Sequence, residues 1–172
     1  MLSKAIRLAT ELYDGRKRKF TGLPYIVHPL SVMAQVKDHL DYNQDDYDNE
    51  YILAAAVLQD VVSECDVSLD FVENQFNKGV RDLIEELTPD KKEMKLDEAK
   101  YWSDKMLKMS EDALTIKLCD ILETLKITHL VQEDVQDRYN KKVIKIVDAL
   151  KKKLDMTDVN LAIVESLGEY LC

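Results

Sequence analysis

A chain of 172 residues with 46% hydrophobic and 33% charged side chains has the makeup of one globular domain, residues 1–172, with enough material for a real core. Four glycines and three prolines are too few for a loop-rich or all-β architecture. A formal net charge of −9 sets the surface as a whole against nucleic acid and anionic membranes.

Apolar residues at Leu2, Ala5, Ile6, Ala9 and Leu12 have the spacing of an amphipathic helix over 2–14, ended by Gly15. The stretch "RKRKFTGLPYIV" carries Gly22 and Pro24 and reads as a loop. A helix from about Pro29 to Leu40 follows, then an acidic connection, "DYNQDDYDN". Residues 49–62 are apolar almost all round, which predicts a buried helix. Asp66 or Ser68 caps the next helix. A short helix over 78–87 stops before Pro89, and the polar "DKKEMKLDEAK" leads into a helix over 95–109. Ser110 is the expected N-cap of "SEDALTIKLCDILETLKITHL". A long helix over 132–154 and a last one over 157–171 complete an all-α chain with no strand pattern and no internal repeat.

Cys65, Cys119 and Cys172 are odd in number and scattered. They suggest neither a disulfide framework nor a cysteine zinc site, and a cytoplasmic location is the default. The N-terminal residues lack the apolar run of a signal peptide. No stretch is apolar over the length a membrane helix needs.

Asp60 is the first residue that stands out. On one continuous helix, Gln59, Asp60, Ser63 and Glu64 form a polar stripe at its C-terminal end. The plain reading is a solvated helix end. Against it, a carboxylate there faces the negative end of the helix dipole and calls for a cation. Asp120 lies on a face with Lys117 and Thr124, and by itself reads as an exposed stripe with a Lys117–Asp120 pair. His28 precedes Pro29 at the start of a helix; a lone histidine is more often structural than a ligand. His39 and His129 read as surface or packing residues.

The run Arg16-Lys17-Arg18-Lys19 is a small positive island in an acidic chain. Its plain reading is a solvated loop. Its functional reading is phosphate contact, because Arg offers a bidentate fork and Lys a point charge. Four residues without an aromatic ladder suit a small phosphorylated nucleotide better than a nucleic acid. The lysines of the long helix alternate with apolar positions and read as a solvated face, not a membrane surface.

The segments "GRKRKFTGLPYIVHPLSV", "AAAVLQDVVSE" and "ALTIKLCDILETL" occur in this order, within a similarity that runs from about residue 2 to about 155. Together they resemble the HD-type hydrolase domain of the RelA/SpoT family, including its small stand-alone members. The resemblance implies a helical bundle of HD type and removal of the 3′-pyrophosphate from (p)ppGpp. It implies one divalent ion, Mn²⁺, held by two histidines and two aspartates. Position by position, His28 and Asp120 match ligands. The adjacent His-Asp pair reads Gln59-Asp60, so the aspartate is kept and the histidine is not. Arg18 and Lys19 match substrate-binding residues, and Thr124 stands where the family has an asparagine near the substrate. The acidic pair that orients and deprotonates the attacking water reads Ser63-Glu64. A synthetase domain, as in the larger members, has no room in this length.

Glutamine is a weaker, neutral oxygen donor than imidazole is a nitrogen donor, though a hard cation accepts it. Serine is no general base near neutral pH without help, whereas Glu64 is one methylene longer than the family's aspartate. Three expectations follow. The chain is a divergent metal-dependent phosphohydrolase with Gln59 as makeshift ligand and Glu64 as base; or it is catalytically silent and binds a nucleotide through Arg18 and Lys19; or it is a module that binds a protein partner on a retired hydrolase scaffold.

Overall fold

The structure, a computed structural model, describes residues 1–19, 21–40 and 49–171. The expected acidic connection lies, Asn49 apart, outside the described residues, as does Cys172. No β-strand occurs among the described residues, and the one extended pairing is an isolated bridge between Lys17 and Pro24. The fold is all-α. The chain divides into two units, Met1–Thr88 and Pro89–Cys172.

The first unit is built around α3 (Glu50–Leu58). Its Ala54-Ala55-Ala56 run favours a helix intrinsically, and every residue from Ile52 to Gln59 is buried. Three neighbours pack on it: α1 (Leu2–Leu12), α2 (Val27–His39) and α6 (Lys78–Leu87). On α1 the two fully buried residues are Ala5 and Ala9, small enough for close helix approach. On α6, Val80, Leu83, Ile84 and Leu87 form one apolar stripe. Asn77 caps α6 by accepting from the Val80 N–H at 2.9 Å. Between them, α5 (Leu69–Gln75) packs on α6 and is capped by Ser68, which accepts from Phe71 N–H at 3.0 Å. Asp66, the other cap candidate, instead ends α4 (Val61–Cys65) in the left-handed conformation.

Residues 49–62 are not one helix. The chain turns at Gln59 and Asp60, and α4 begins afresh at Val61. Asp60 has φ −104° and ψ 2°, outside the helical well. Helical periodicity continues across this break, so the apolar pattern alone does not reveal it. The turn leaves Asp60 next to the C-cap of α3 and makes it the N-cap residue of the five-residue α4, with no side-chain capping bond.

In the second unit, α7 (Lys91–Met94) is a single turn within the expected polar bridge, capped by Asp90. It packs on α8 (Glu98–Met106), and α8 packs on α10 (Glu133–Lys153). Lys142 and Glu98 tie α10 to α8 at 2.9 Å. Another pair is α9 (Glu111–Ile127) with α11 (Asp158–Gly168). Ser110 caps α9 as expected, accepting from the Ala113 N–H at 3.3 Å. A 3-10 turn, Thr128–Leu130, leads from α9 towards α10. Val143, Ile146, Val147 and Leu150 of α10 are buried while Lys141, Lys145 and Lys151 to Lys153 are exposed, a solvated lysine face. No helix among the described residues is long and apolar enough to cross a membrane.

Candidate functional site

In the first unit the segment between α1 and α2 doubles back on itself. The Arg18 N–H donates to Leu23 O, and the Tyr25 N–H donates to Arg16 O, both at 2.9 Å. Gly15 and Gly22 have φ of +71° and +70°, backbone that favours glycine. This fold-back presents Arg16, Lys17 and Lys19 to solvent, with Arg18 half-buried.

The same fold-back delivers Tyr25. Its hydroxyl donates to Asp60 Oδ2 at 2.9 Å, and its ring lies 4.9 Å from that of Tyr13. The His28 ring meets it edge-on at 6.2 Å, with an 85° interplanar angle. Tyr25 thus joins two of the expected ligands, His28 on the first turn of α2 and Asp60 at the α3–α4 break. His28 is 4% exposed. Pro29 follows it in the first helical turn, where a missing N–H costs nothing. Burial drives the Tyr13 phenol far above its ordinary range, and the Asp60 carboxylate pushes the same way.

Gln59 is 3% exposed, and its Nε2 has no hydrogen-bond partner. Ser63 is half-buried and its hydroxyl donates to the Asp60 carbonyl at 3.2 Å. Glu64 is exposed, its N–H bonded to the same carbonyl at 2.8 Å. Cys65 donates to Leu12 O at 3.4 Å. Burial raises its thiol pKa, offset in part by Arg16.

Asp120 and Thr124 belong to the second unit, one turn apart on α9. The expected pair is present: Lys117 Nζ lies 2.8 Å from Asp120 Oδ2, with side-chain exposures of 15% and 18%. The Lys117 ammonium also sits 3.7 Å from the centroid of the Trp102 ring. Among the described residues no group of three or more His, Cys, Asp or Glu side chains is placed to hold a metal ion. His39 is half-buried and His129 exposed.

Sequence reasoning missed Tyr25, Tyr13 and Trp102. Tyr25 has a signal in retrospect, since it lies inside the "PYIVHP" segment three residues before His28. Tyr13 and Trp102 have none.

A model of the HD domain matches residues 5–157. The guanosine-3′,5′-bis(diphosphate) 3′-pyrophosphohydrolase MESH1 of Homo sapiens is 35% identical over 126 residues, 73% of this chain and 68% of that protein. The guanosine-3′,5′-bis(diphosphate) 3′-pyrophosphohydrolase of Aquifex aeolicus is 27% identical over 173 residues, covering 99% of this chain and 24% of that one. This chain therefore spans about a quarter of the Aquifex protein's length. A solved structure described as a metazoan ortholog of SpoT that hydrolyzes ppGpp superimposes with a TM-score of 0.80 at 25% identity, over 98% of this chain and 94% of that one. With the family model running through most of both units, the chain belongs to the HD-domain family, and it resembles the RelA/SpoT-type hydrolases there.

Proposed function

We propose that this chain is a metal-dependent HD phosphohydrolase acting on (p)ppGpp or a related nucleotide, with a weakened metal site. One observation carries the reading. Tyr25 joins His28 to Asp60, so two expected ligands share one tyrosine in a chain 35% identical to a protein named for that activity. The two units are read here as parts of a single HD domain over residues 1–172.

His28, Asp60 and Asp120, with Gln59 in the place of a histidine, are the ligands in this reading, and Mn²⁺ is the ion. The donor set fits such an ion. One imidazole, two carboxylates and an amide oxygen are oxygen-rich and suit a hard divalent cation. The buried Gln59 amide supports this. Its nitrogen has no partner, and the opposite amide orientation presents an oxygen at the same place. When bound, the ion supplies a more acidic water and a polarised phosphoryl oxygen.

The remaining work falls to the chain's own side chains. Arg18 and Lys19 take the substrate's phosphates. Thr124 lies toward the nucleotide. Ser63, tethered to the Asp60 carbonyl, orients the attacking water, and Glu64 accepts its proton. The water oxygen bonds to phosphorus as the phosphate ester bond breaks, and the nucleotide oxygen leaves with the electron pair. Cys65 and Cys119 carry free thiols, which suits a cytoplasmic location.

A second reading rests on Ser63. Where the family has an acid, this chain has a hydroxyl already donated to a backbone carbonyl. That favours a catalytically inactive protein that binds a nucleotide, or a protein partner, as a regulator. A Mn²⁺-dependent hydrolysis screen on (p)ppGpp separates the two. The hydrolase reading expects turnover that disappears in Asp120→Ala and rises in the double variant Gln59→His/Ser63→Glu. Thermal stabilisation by nucleotide without product, even in excess Mn²⁺, establishes the binding protein. Stabilisation by neither metal nor nucleotide leaves the protein-partner module.

A further inference from the structure

Asp120 does not stand alone on α9. Its Oδ2 is 2.8 Å from the Lys117 ammonium one turn earlier, and both side chains are more than four-fifths buried. Lysine is a poor choice for holding a carboxylate by itself. Its ammonium is a point charge on a flexible four-carbon stem, and each exposed arrangement costs rotamer entropy. Here the stem is not free to wander. The ammonium rests 3.7 Å from the Trp102 ring centroid, well inside the range of a cation–π contact. Trp102 is itself fixed: it is 7% exposed and meets the Tyr101 ring edge-on at 5.4 Å. The order of constraint therefore runs from a packed indole to an ammonium to a carboxylate, all within one unit.

A carboxylate that ligates a metal needs its other contacts supplied by neighbours that fix its rotamer, and removing such neighbours typically weakens metal affinity by about 10- to 100-fold. We infer that Lys117, seated on the face of Trp102, is a positioning residue that sets the Asp120 carboxylate for a divalent cation. The inference rests on the reading of Asp120 as a ligand. It goes further in assigning the platform under the carboxylate, whose indole comes from α8 and whose ammonium comes from the ligand helix α9 itself. It also gives the site a built-in reporter, because Trp102 is the single tryptophan of the chain.

The test is calorimetric titration of the full chain with Mn²⁺, together with Trp102 emission. Lys117→Met keeps the stem and removes the charge; it should weaken Mn²⁺ binding about 10- to 100-fold. Lys117→Arg, which still stacks on the indole and still pairs with a carboxylate, should restore most of it. Trp102→Phe keeps an aromatic face and should lose less than Trp102→Leu. In the parent chain both Mn²⁺ addition and Asp120→Asn should alter Trp102 emission, and Lys117→Met should abolish the response to Asp120→Asn. Unchanged or tighter Mn²⁺ binding in Lys117→Met overturns the positioning role. So does equal loss in Lys117→Met and Lys117→Arg, since that marks a packing effect without a role for the charge. If the parent chain takes up no Mn²⁺, the hydrolase reading fails and the role falls with it. That outcome differs from a failure of positioning alone, in which the parent binds and Lys117→Met binds equally well.

Discussion

Tyr25→Phe removes one oxygen atom and should be felt through Asp60. The Tyr25 hydroxyl donates to Asp60 Oδ2 at 2.9 Å, and a hydrogen bond to a charged group contributes roughly 1.5–3 kcal/mol. Asp60 and Tyr25 are only half-buried, so water replaces part of the lost bond and the lower end, about 1.5 kcal/mol, applies. The phenylalanine ring keeps the 4.9 Å contact with Tyr13 and the edge-on contact with His28, so the change isolates the hydroxyl. For a chain of this size such a loss lowers Tm by roughly 3–6 °C. Urea denaturation of the parent, Tyr25→Phe, Asp60→Ala and the double variant makes a closed cycle, with an expected coupling of about 1 kcal/mol. A coupling below about 0.3 kcal/mol, within the additivity of independent sites, would refute the claim that Tyr25 holds Asp60.

Other outcomes follow from the same structure. Gln59→Met replaces a buried amide nitrogen that has no partner; since such a group costs about 1–3 kcal/mol, the variant should be at least 1 kcal/mol more stable, read as a higher urea midpoint. Tyr13 is buried with its phenol held far above the ordinary value of 10.0. The unfolded chain loses this proton above about pH 10 while the folded one keeps it, so its contribution is full below that pH and is lost as pH rises. Tyr13→Phe should therefore lose less stability than the parent between about pH 10 and 12, measured by denaturation at each pH. Ser68→Ala and Ser110→Ala should each cost about 1 kcal/mol by removing the caps of α5 and α9. Leu58→Ala, at a fully buried position of α3, should cost about 2–5 kcal/mol.

The helices were legible because their information is local. The stripe Val80, Leu83, Ile84 and Leu87 repeats at the helical period, and Ser110 stands at the first turn of α9 as the capping rule requires. Motif order picked out His28 and Asp60, and both meet the same tyrosine, Tyr25. The break at Gln59–Asp60 was not legible. Apolar residues continue at helical spacing on both sides of it, so periodicity predicts one helix where the backbone turns. The positioning partners were hidden for a different reason. Tyr25 and Asp60 are separated by 35 residues, and Trp102 and Lys117 lie on different helices.

By itself the sequence determined an all-α chain, the cap of α9, the solvated lysine face of α10 and the resemblance to the RelA/SpoT hydrolases. Each of these depends on residue types at short range or on the order of motifs. Tertiary structure alone decided that Asp60 begins α4 and does not end α3, that Tyr25 holds it, that Gln59 is buried without a partner for its amide nitrogen, and that Trp102 seats the lysine paired with Asp120. Such contacts arise when distant segments are brought into van der Waals and hydrogen-bond range. Hydrogen bonds and ion pairs act over a few ångströms in space, whatever the distance along the chain.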